Sequence, residues 1–359
     1  MKKYLKYNIS AMMLFASALA VTSCDDWTEV ESLEIHTPSI EDNNPGLYDD
    51  YLNNLNRYKK EDHKITIVSF ENIAGAPTKK SEHLTALPDS VDIVCLNNPD
   101  KVSVEMEKEI QDIHAKGIRS VYMIDYAVFE DAWLDMIKAN PALTEEDALT
   151  TLEQYVEAKL ALCDQHGFDG VIADYFGRAL VSMQEKDLTV YSNRQKTFFN
   201  KILEWKEAHQ NKSIIFSGNV QFLVSDMIHA LNDFEYIILK TKESTNGNDY
   251  TLKAYTALQA GEDLAKKEGL ETNPVPNDRF IVTVELPQAG DKDKVKGYWT
   301  TTDQSGNKIM AAEGAAVWMG AHSTDFTRKG MLLMNVHNDY YNNTYEYVRE
   351  VISIMNPNK

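Results

Sequence analysis

One short run of the sequence combines two carboxylates with two aromatic rings. Residues 168–177 read Phe-Asp-Gly-Val-Ile-Ala-Asp-Tyr-Phe-Gly, so Asp169 and Asp174 enclose an apolar stretch and Tyr175 and Phe176 follow it directly. Carboxylates can transfer a proton or hold a polar ligand group, and aromatic rings can stack on the apolar face of a ligand. The alternative for each ring is packing beneath a loop.

Further polar and aromatic side chains follow other apolar runs. Those that we predict to contact a ligand, with Asp174, Tyr175 and Phe176, are Asp125, Tyr126, Asn219, Glu285, Tyr298, Trp299, Trp318, Asn335, Asn338 and Tyr340. Each carboxylate has a structural hydrogen bond as its alternative role. Core packing is the favoured alternative for Trp318, which lies in an apolar run, and helix capping is the alternative for Asp339.

The elements that must position these residues are eight short β-rich runs that alternate with helical patterns. The runs are Ile65–Phe70, Ile93–Leu96, Ser120–Ile124, Gly170–Ala173, Ile214–Ser217, Tyr236–Leu239, Phe280–Glu285 and Met331–Val336. Helices are predicted at Val104–Ala115, Glu145–His166, Ser192–His209, Phe222–Leu231, Leu252–Glu268, Lys308–Gly320 and Thr344–Ile354. The segment 287–305 is the longest irregular one.

This alternation predicts a single α/β domain, a (β/α)8 TIM barrel over residues 51–359. The strand runs are apolar almost throughout, as in parallel strands that are buried on both faces. A doubly wound open sheet is the alternative, but no Gly-x-Gly-x-x-Gly motif follows an early strand. In such a barrel, functional residues come from the carboxyl ends of the strands, where most of the candidates above lie.

The N-terminus has the pattern of a targeting segment. Three lysines precede an apolar run from Ile9 to Val21, which is shorter than the about 20 residues of a membrane-spanning helix. The run leads to Cys24 and resembles a bacterial lipobox, so we predict a signal peptide at 1–24, lipidation at Cys24 and a flexible tether at 25–50. An ordinary secretory signal is the alternative.

Composition excludes several classes of function. The net charge is −19, from 55 acidic and 36 basic residues. The sequence contains no cluster of basic residues, which argues against nucleic-acid binding. Three cysteines are too few for a disulfide framework, and the two outside the N-terminal segment, Cys95 and Cys163, are predicted to be buried thiols. The spacing of the nine histidines favours no metal site, and no cofactor is expected.

The run at 168–177 resembles the signature of family 18 glycoside hydrolases, Asp-x-x-Asp-x-Asp-x-Glu. Similarity to Bacteroides lipoproteins of that family also extends to the segments around Trp27, Tyr51–Tyr58, His63 and 87–92. The resemblance implies a barrel that binds N-acetylglucosamine-containing glycans. Asp25 and Asp26 after Cys24 resemble a surface-export signal, which implies a lipid-anchored protein of the outer membrane that faces the cell exterior.

The signature is incomplete in this chain. Asp169 and Asp174 match its first and third Asp, whereas Ile172 replaces the second Asp and Phe176 replaces the terminal Glu. In the family that Glu protonates the leaving oxygen, and the third Asp orients the substrate's acetamido group. Lys240 and Thr241 end the sixth strand where many members have a tyrosine. Phenylalanine has no proton to donate, so the resemblance implies a lost general acid.

Three hypotheses follow from this pattern. The first is a non-catalytic surface lipoprotein that captures glycans, N-glycans in particular, for an outer-membrane importer and its lipoprotein partners. The second is a divergent endo-β-N-acetylglucosaminidase in which Asp174 remains and Asp125 or Glu285 supplies the proton. The third is an assembly partner of the importer with a vestigial cleft. We favour the first.

Overall fold

The computed structural model describes residues 43–357 of the protein. The predicted signal peptide, Cys24 and residues 25–42 of the predicted tether lie outside the described residues. Within the described part, no helix combines the length and the apolar character that crossing a membrane requires.

Eight parallel strands close into a barrel, which confirms the predicted fold class. They are β1 (Ile65–Phe70), β2 (Ile93–Leu96), β3 (Arg119–Asp125), β4 (Gly170–Tyr175), β5 (Ser213–Gly218), β6 (Ile237–Leu239), β7 (Phe280–Glu285) and β10 (Arg328–Met334). The first seven strands are neighbours in chain order, and β10 closes the ring between β7 and β1. One compact unit, which starts at Tyr51, contains the whole barrel.

Helices precede β1 and follow the strands along the chain. They are α1 (Pro45–Lys60), α2 (Val104–Ala115), α3 (Tyr126–Ala139), α4 (Glu145–His166), α5 (Glu185–Ala208), α6 (Ser225–His229), α7 (Gly247–Glu268), α8 (Ala311–Gly320) and α9 (Glu346–Met355). A small antiparallel hairpin, β8 (Tyr298–Thr302) and β9 (Lys308–Met310), lies between β7 and α8.

The largest differences from the sequence prediction concern α1, α3 and the hairpin; in addition, α5 begins at Glu185 instead of Ser192, and α6 is shorter than predicted. Helix α1 begins at Pro45, so residues 45–50 are helical although we expected a flexible tether there; Asn44 caps the helix by accepting a hydrogen bond from the amide of Leu47. Helix α3 was not predicted, because it begins directly at the end of β3 without a turn. The hairpin occupies residues 298–305 of the segment that we expected to be irregular, and its second strand, Lys308–Met310, replaces the first turn of the helix that we predicted from Lys308.

Local signals explain why other elements form where they do. Thr144 and Asp147 make reciprocal hydrogen bonds with each other's amides at the start of α4, which is the arrangement of a capping box. The helix ends at Gly167, whose φ of 71° is the left-handed conformation that glycine adopts at low cost. Asp339 accepts hydrogen bonds from the amides of Tyr347 and Val348 in α9, as its predicted capping role requires.

Two apolar layers hold the barrel together. The larger layer lies between strands and helices, and the smaller one fills the barrel interior with side chains that include Ile67, Cys95, Ile172, Ile215 and Ile238. Cys95 and Cys163 are both buried free thiols, as predicted. The interior layer closes the barrel from below, so polar chemistry is confined to its mouth at the carboxyl ends of the strands.

Candidate functional site

Strand β4 directs alternate side chains to opposite faces of the barrel wall. Ile172 lies in the interior apolar layer, and Asp174 and Phe176 line a cavity at the mouth above it. Tyr175 points the other way, into the layer between strands and helices. Positions 172, 174 and 176 therefore share the inward face, as the period of two in a strand requires. Phe176 stands where the family signature places its glutamate.

Close packing and one hydrogen bond hold the backbone around Phe176 in place. The next residue, Gly177, has a φ of 70°, and a Cβ there would lie 2.8 Å from the Phe222 Cβ and from the Tyr191 hydroxyl. The carbonyl oxygen of Phe176 accepts a hydrogen bond of 2.9 Å from the Asn219 side chain. The Phe176 side chain itself is 63% exposed and faces the cavity, so it offers a free aromatic surface to a ligand.

Asp174 forms an ion pair with Lys240 at the centre of the site. Lys240 follows β6, and its ammonium donates a hydrogen bond to the Asp174 carboxylate. The Asp174 side chain is 13% exposed and that of Lys240 is 25% exposed, so solvent screens the pair weakly. Lys240 thus neutralises the carboxylate that remains from the family signature.

Asp125 lies beside Asp174, because the two residues are register partners in β3 and β4. Its carboxylate accepts a hydrogen bond of 2.8 Å from the Ala127 amide at the start of α3. Burial raises the pKa of Asp125, and the charge of Asp174 adds to that effect, while the Ala127 amide and Lys240 oppose it. Asp125 therefore combines a structural capping role with a place in the cavity wall.

The cavity has a volume of about 670 Å³ and a mixed lining. Its walls include hydroxyl and amide groups from the strand ends, two apolar side chains of β10, two lysines that follow β6 and one lysine of α7; these residues are Ser217, Asn219, Thr283, Leu332, Met334, Lys240, Lys242 and Lys253. This size is within the usual range for a small-molecule or oligosaccharide pocket. Most of the lining residues are polar or charged, Glu243 and Asp249 among them, so the cavity offers many hydrogen-bond donors and acceptors to a sugar.

Two polar networks border the cavity. Glu285 accepts a hydrogen bond of 2.6 Å from Asn335 and pairs with Lys242 at 3.6 Å, and the Asn338 side chain donates to the carbonyl of Leu286. Around the rim, Glu71 accepts hydrogen bonds from the side chains of Asn97 and Asn98, which lower its pKa. Both carboxylates are engaged by neighbouring side chains.

Four of the predicted ligand contacts are wrong, because their side chains belong to the core. Tyr175 is 1% exposed, and its ring centroid lies 4.7 Å from that of Tyr126, which is also buried. The indole nitrogen of Trp299 donates to the Tyr250 hydroxyl, and that of Trp318 donates to Thr251. The two tryptophans thereby attach the hairpin and α8 to α7.

The structure separates the other predicted residues into two groups. Asp125, Asp174, Phe176 and Asn219 meet in the cavity lining. The rest lie near the mouth without belonging to that lining: Glu285, Asn335 and Asn338 in the network described above, and half-buried Tyr298 and Tyr340. Tyr298 has Lys294 over its ring at 5.5 Å.

The first Asp of the signature has a structural role. Asp169 precedes β4, at the end of the barrel opposite the cavity, where it accepts a hydrogen bond from the Ser120 amide and pairs with His114 at 2.7 Å. Burial alone would raise the pKa of Asp169, but the bonds from His114 and Ser120 outweigh it, and the pKa is lowered. Its match to the signature therefore concerns the scaffold.

The sequence analysis named Lys240 only as a departure from the family pattern, and it missed Lys242 and Lys253 as cavity residues. Lys240 and Lys242 continue the alternation of inward side chains after β6, and this pattern could have identified them as cavity residues. Lys253 and Leu252 lie on α7, and nothing in the sequence places that part of the helix at the mouth. Within residues 43–357, no group of three or more His, Cys, Asp or Glu side chains is arranged to hold a metal ion.

The model of glycoside hydrolase family 18, BT1044-like, matches residues 28–354. The chain belongs to glycoside hydrolase family 18. The structure of a Glu-to-Gln variant of BT1044 in selenomethionine form covers 89% of this chain and 96% of its own, with a TM-score of 0.60 and 15% sequence identity. No curated protein matches the sequence significantly.

More distant family 18 barrels are also similar in structure. A chitinase from Pseudoalteromonas aurantia is 9% identical, with a TM-score of 0.46, and covers 81% of this chain and 99% of its own. Human YKL-39, described as a pseudo-chitinase with retained chitooligosaccharide binding, is 10% identical, with a TM-score of 0.43. It covers 82% of this chain and 98% of its own. Membership of family 18 implies a glycan as the ligand of this barrel.

Proposed function

We propose that this family 18 barrel binds a glycan without hydrolysing it. One observation carries the proposal: Phe176 lies on the inward face of β4, in the cavity, at the position of the family's general acid. Loss of a general acid costs about 10²–10⁴-fold in rate. The same ring gives a sugar an apolar surface on which to stack.

The electrostatics of the site support the same function. Family 18 enzymes use the carboxylate at the Asp174 position to orient the acetamido group, whereas here Lys240 holds that carboxylate in an ion pair. Asp174 can still accept a hydrogen bond from a ligand, since a carboxylate has several acceptor positions. Ser217, Asn219 and Thr283 add neutral polar groups around it. The arrangement suits binding better than proton transfer.

The ligand class and the cellular role extend this proposal. We infer that the glycan contains N-acetylglucosamine, with N-glycans as the favoured source, because the family signature is partly retained at Asp174. Cys24 and the acidic residues after it support a lipid-anchored protein on the outer surface of the outer membrane. From there it would deliver captured glycan to an importer and its lipoprotein partners.

Calorimetry with a released N-glycan tests the binding function. Wild-type protein should bind, and Phe176→Ala should weaken binding by about 10-fold, since an aromatic contact contributes about 0.5–1.5 kcal/mol beyond the area that it buries. Leu134→Ala is the matched control, because Leu134 is an exposed apolar residue on α3 outside the cavity lining. Equal affinities of wild type and Phe176→Ala would contradict the role of the ring.

One observation favours a second function, a divergent endo-β-N-acetylglucosaminidase. Asp125 lines the cavity next to Asp174, and burial raises its pKa, as a general acid requires. Glu285, the other predicted acid, is engaged by Asn335 and Lys242 and is less suited to that role. If Asp125 is the acid, wild-type protein releases oligosaccharide from a glycoprotein and Asp125→Asn does not.

A further inference from the structure

A second cavity adjoins the candidate site on the outer surface of the barrel. Its volume is about 690 Å³, and it lies between the segments that follow β4 and β5 and the part of α7 from Leu252 to Lys267. Leu252 of α7 lines both this groove and the cavity at the barrel mouth. The two cavities therefore meet at Leu252.

The groove exposes apolar side chains that have little structural reason to face water. Its floor includes Leu223 and Ile228, which are buried. Above them, Val181 is 97% exposed and Leu252 is 65% exposed, and Tyr255 presents part of its ring. Exposed apolar surface that is contiguous and bordered by polar groups is typical of an interaction site.

Polar groups at the edge of the groove are available to a ligand. Gln221 and Ser225 are half-buried, and among the described residues neither side chain has a hydrogen-bond partner. Asp263 and Lys267 supply one charge of each sign, so the groove favours neither anions nor cations. Apolar patches with amide and hydroxyl groups beside them match the alternating C–H and O–H surfaces of a neutral sugar.

One face of α7 runs the length of the groove. Leu252, Tyr255, Gln259 and Asp263 follow each other at intervals of three or four residues and therefore lie on the same face. At about 1.5 Å of rise per residue, this face extends about 16 Å from the barrel mouth. A single sugar ring cannot span that length, whereas an oligosaccharide can.

We propose that the groove binds the outer part of the same glycan whose inner sugars lie against Asp174 and Phe176. The ligand is accordingly a neutral, elongated or branched oligosaccharide, and not a mono- or disaccharide. This inference rests on the proposed glycan-binding function. It assigns the loop around Val181 and the exposed face of α7 to ligand recognition.

The test compares a short and a long ligand on a variant that alters the groove and leaves the lining of the cavity at the barrel mouth unchanged. The probes are N,N′-diacetylchitobiose and a released neutral N-glycan, measured by calorimetry with wild type and with Val181→Ser/Tyr255→Ala. Val317→Ser is the control, since Val317 is an exposed valine on α8 outside the groove. Thermal unfolding of each variant verifies that it is folded.

Wild type should bind the N-glycan more tightly than the disaccharide. The double variant should lose about 10-fold in affinity for the N-glycan, with no change for the disaccharide and none in the control. Equal affinity of wild type for both probes, or an unchanged double variant, would overturn the groove assignment and leave the proposed function intact. Binding of neither probe by wild type would overturn both.

A glycopeptide that carries the same N-glycan distinguishes a sugar from a polypeptide in the groove. If the glycan occupies the groove, the double variant should bind the glycopeptide and the released glycan with affinities that are reduced by the same factor. If only the glycopeptide loses affinity, the groove binds polypeptide, and the assignment to a glycan is refuted.

Discussion

The ion pair between Lys240 and Asp174 stabilises a cluster of charges in the mouth of the barrel. Lys240→Met removes the cation and leaves Asp174 next to Asp125, its register partner on β3. Two neighbouring carboxylates then repel each other in a site that is largely shielded from water. We therefore expect this substitution to destabilise the folded protein.

The magnitude follows from how far the pair is buried. Exposed pairs contribute about 0.2–1 kcal/mol, and removal of one partner from a fully buried pair costs about 3–5 kcal/mol. With side chains that are 13% and 25% exposed, the pair lies between these limits. We expect Lys240→Met to lower the free energy of unfolding by about 2 kcal/mol at pH 7.

Urea unfolding of a double-mutant cycle measures this coupling directly. Asp174→Asn should remove most of the penalty of Lys240→Met, because the carboxylate that Lys240 neutralised and its repulsion with Asp125 are then absent. The penalty should also shrink toward pH 4, since loss of Lys240 raises the pKa of Asp125 further and protonation relieves the repulsion. A coupling energy within about 0.3 kcal/mol of zero would refute the reasoning. Lys242→Met, which removes the exposed partner of Glu285, is the control and should cost about 0.5 kcal/mol or less.

Two further predictions concern stability away from the cavity. Burial would lower the pKa of His63, but its hydrogen bonds to Asp92 and to the Glu61 carbonyl outweigh burial, so the pKa is raised in the folded protein. Protonated His63 therefore stabilises the folded protein. This stabilisation is complete below the unfolded pKa of about 6.5 and is lost as pH rises through the folded pKa. Urea midpoints of wild type and His63→Gln should converge between pH 6 and pH 9, and a constant difference would contradict this account. Gly314→Ala should cost about 1–3 kcal/mol, because a Cβ at Gly314 would lie 2.4 Å from the Trp299 ring. Gly320→Ala, with nothing within 4 Å, should unfold at the same urea concentration as wild type, and equal midpoints for both glycine variants would refute the packing argument.

Much of the barrel could be predicted from local pattern. The β-rich runs at 65–70, 93–96 and 280–285 coincide with β1, β2 and β7, because strands buried on both faces are short, apolar and bounded by polar residues. Helix α3 could not be predicted in this way, because its N-cap residue, Asp125, is also the last residue of β3. Turn residues that normally separate two elements are absent at that junction.

The candidate site was less predictable than the fold. The alternation of side chains along β4 predicts which of them point into the barrel. The same alternation predicts that Tyr175 points away from the barrel interior, into the apolar layer between strands and helices. The burial of Trp299 and Trp318 depends on how the hairpin and α8 pack on α7, which is a contact between segments distant in sequence. The groove along α7 likewise depends on tertiary packing, so its residues carried no recognisable motif.

Our central claim is that Phe176 leaves this family 18 barrel able to bind glycan but unable to cleave it. Mass spectrometry of a glycoprotein incubated with the wild-type protein, at a concentration where binding is saturated, tests that claim most directly. We predict an intact glycoprotein and no released oligosaccharide. Release at a rate typical of an enzyme, about 1 s⁻¹ or more, would contradict it.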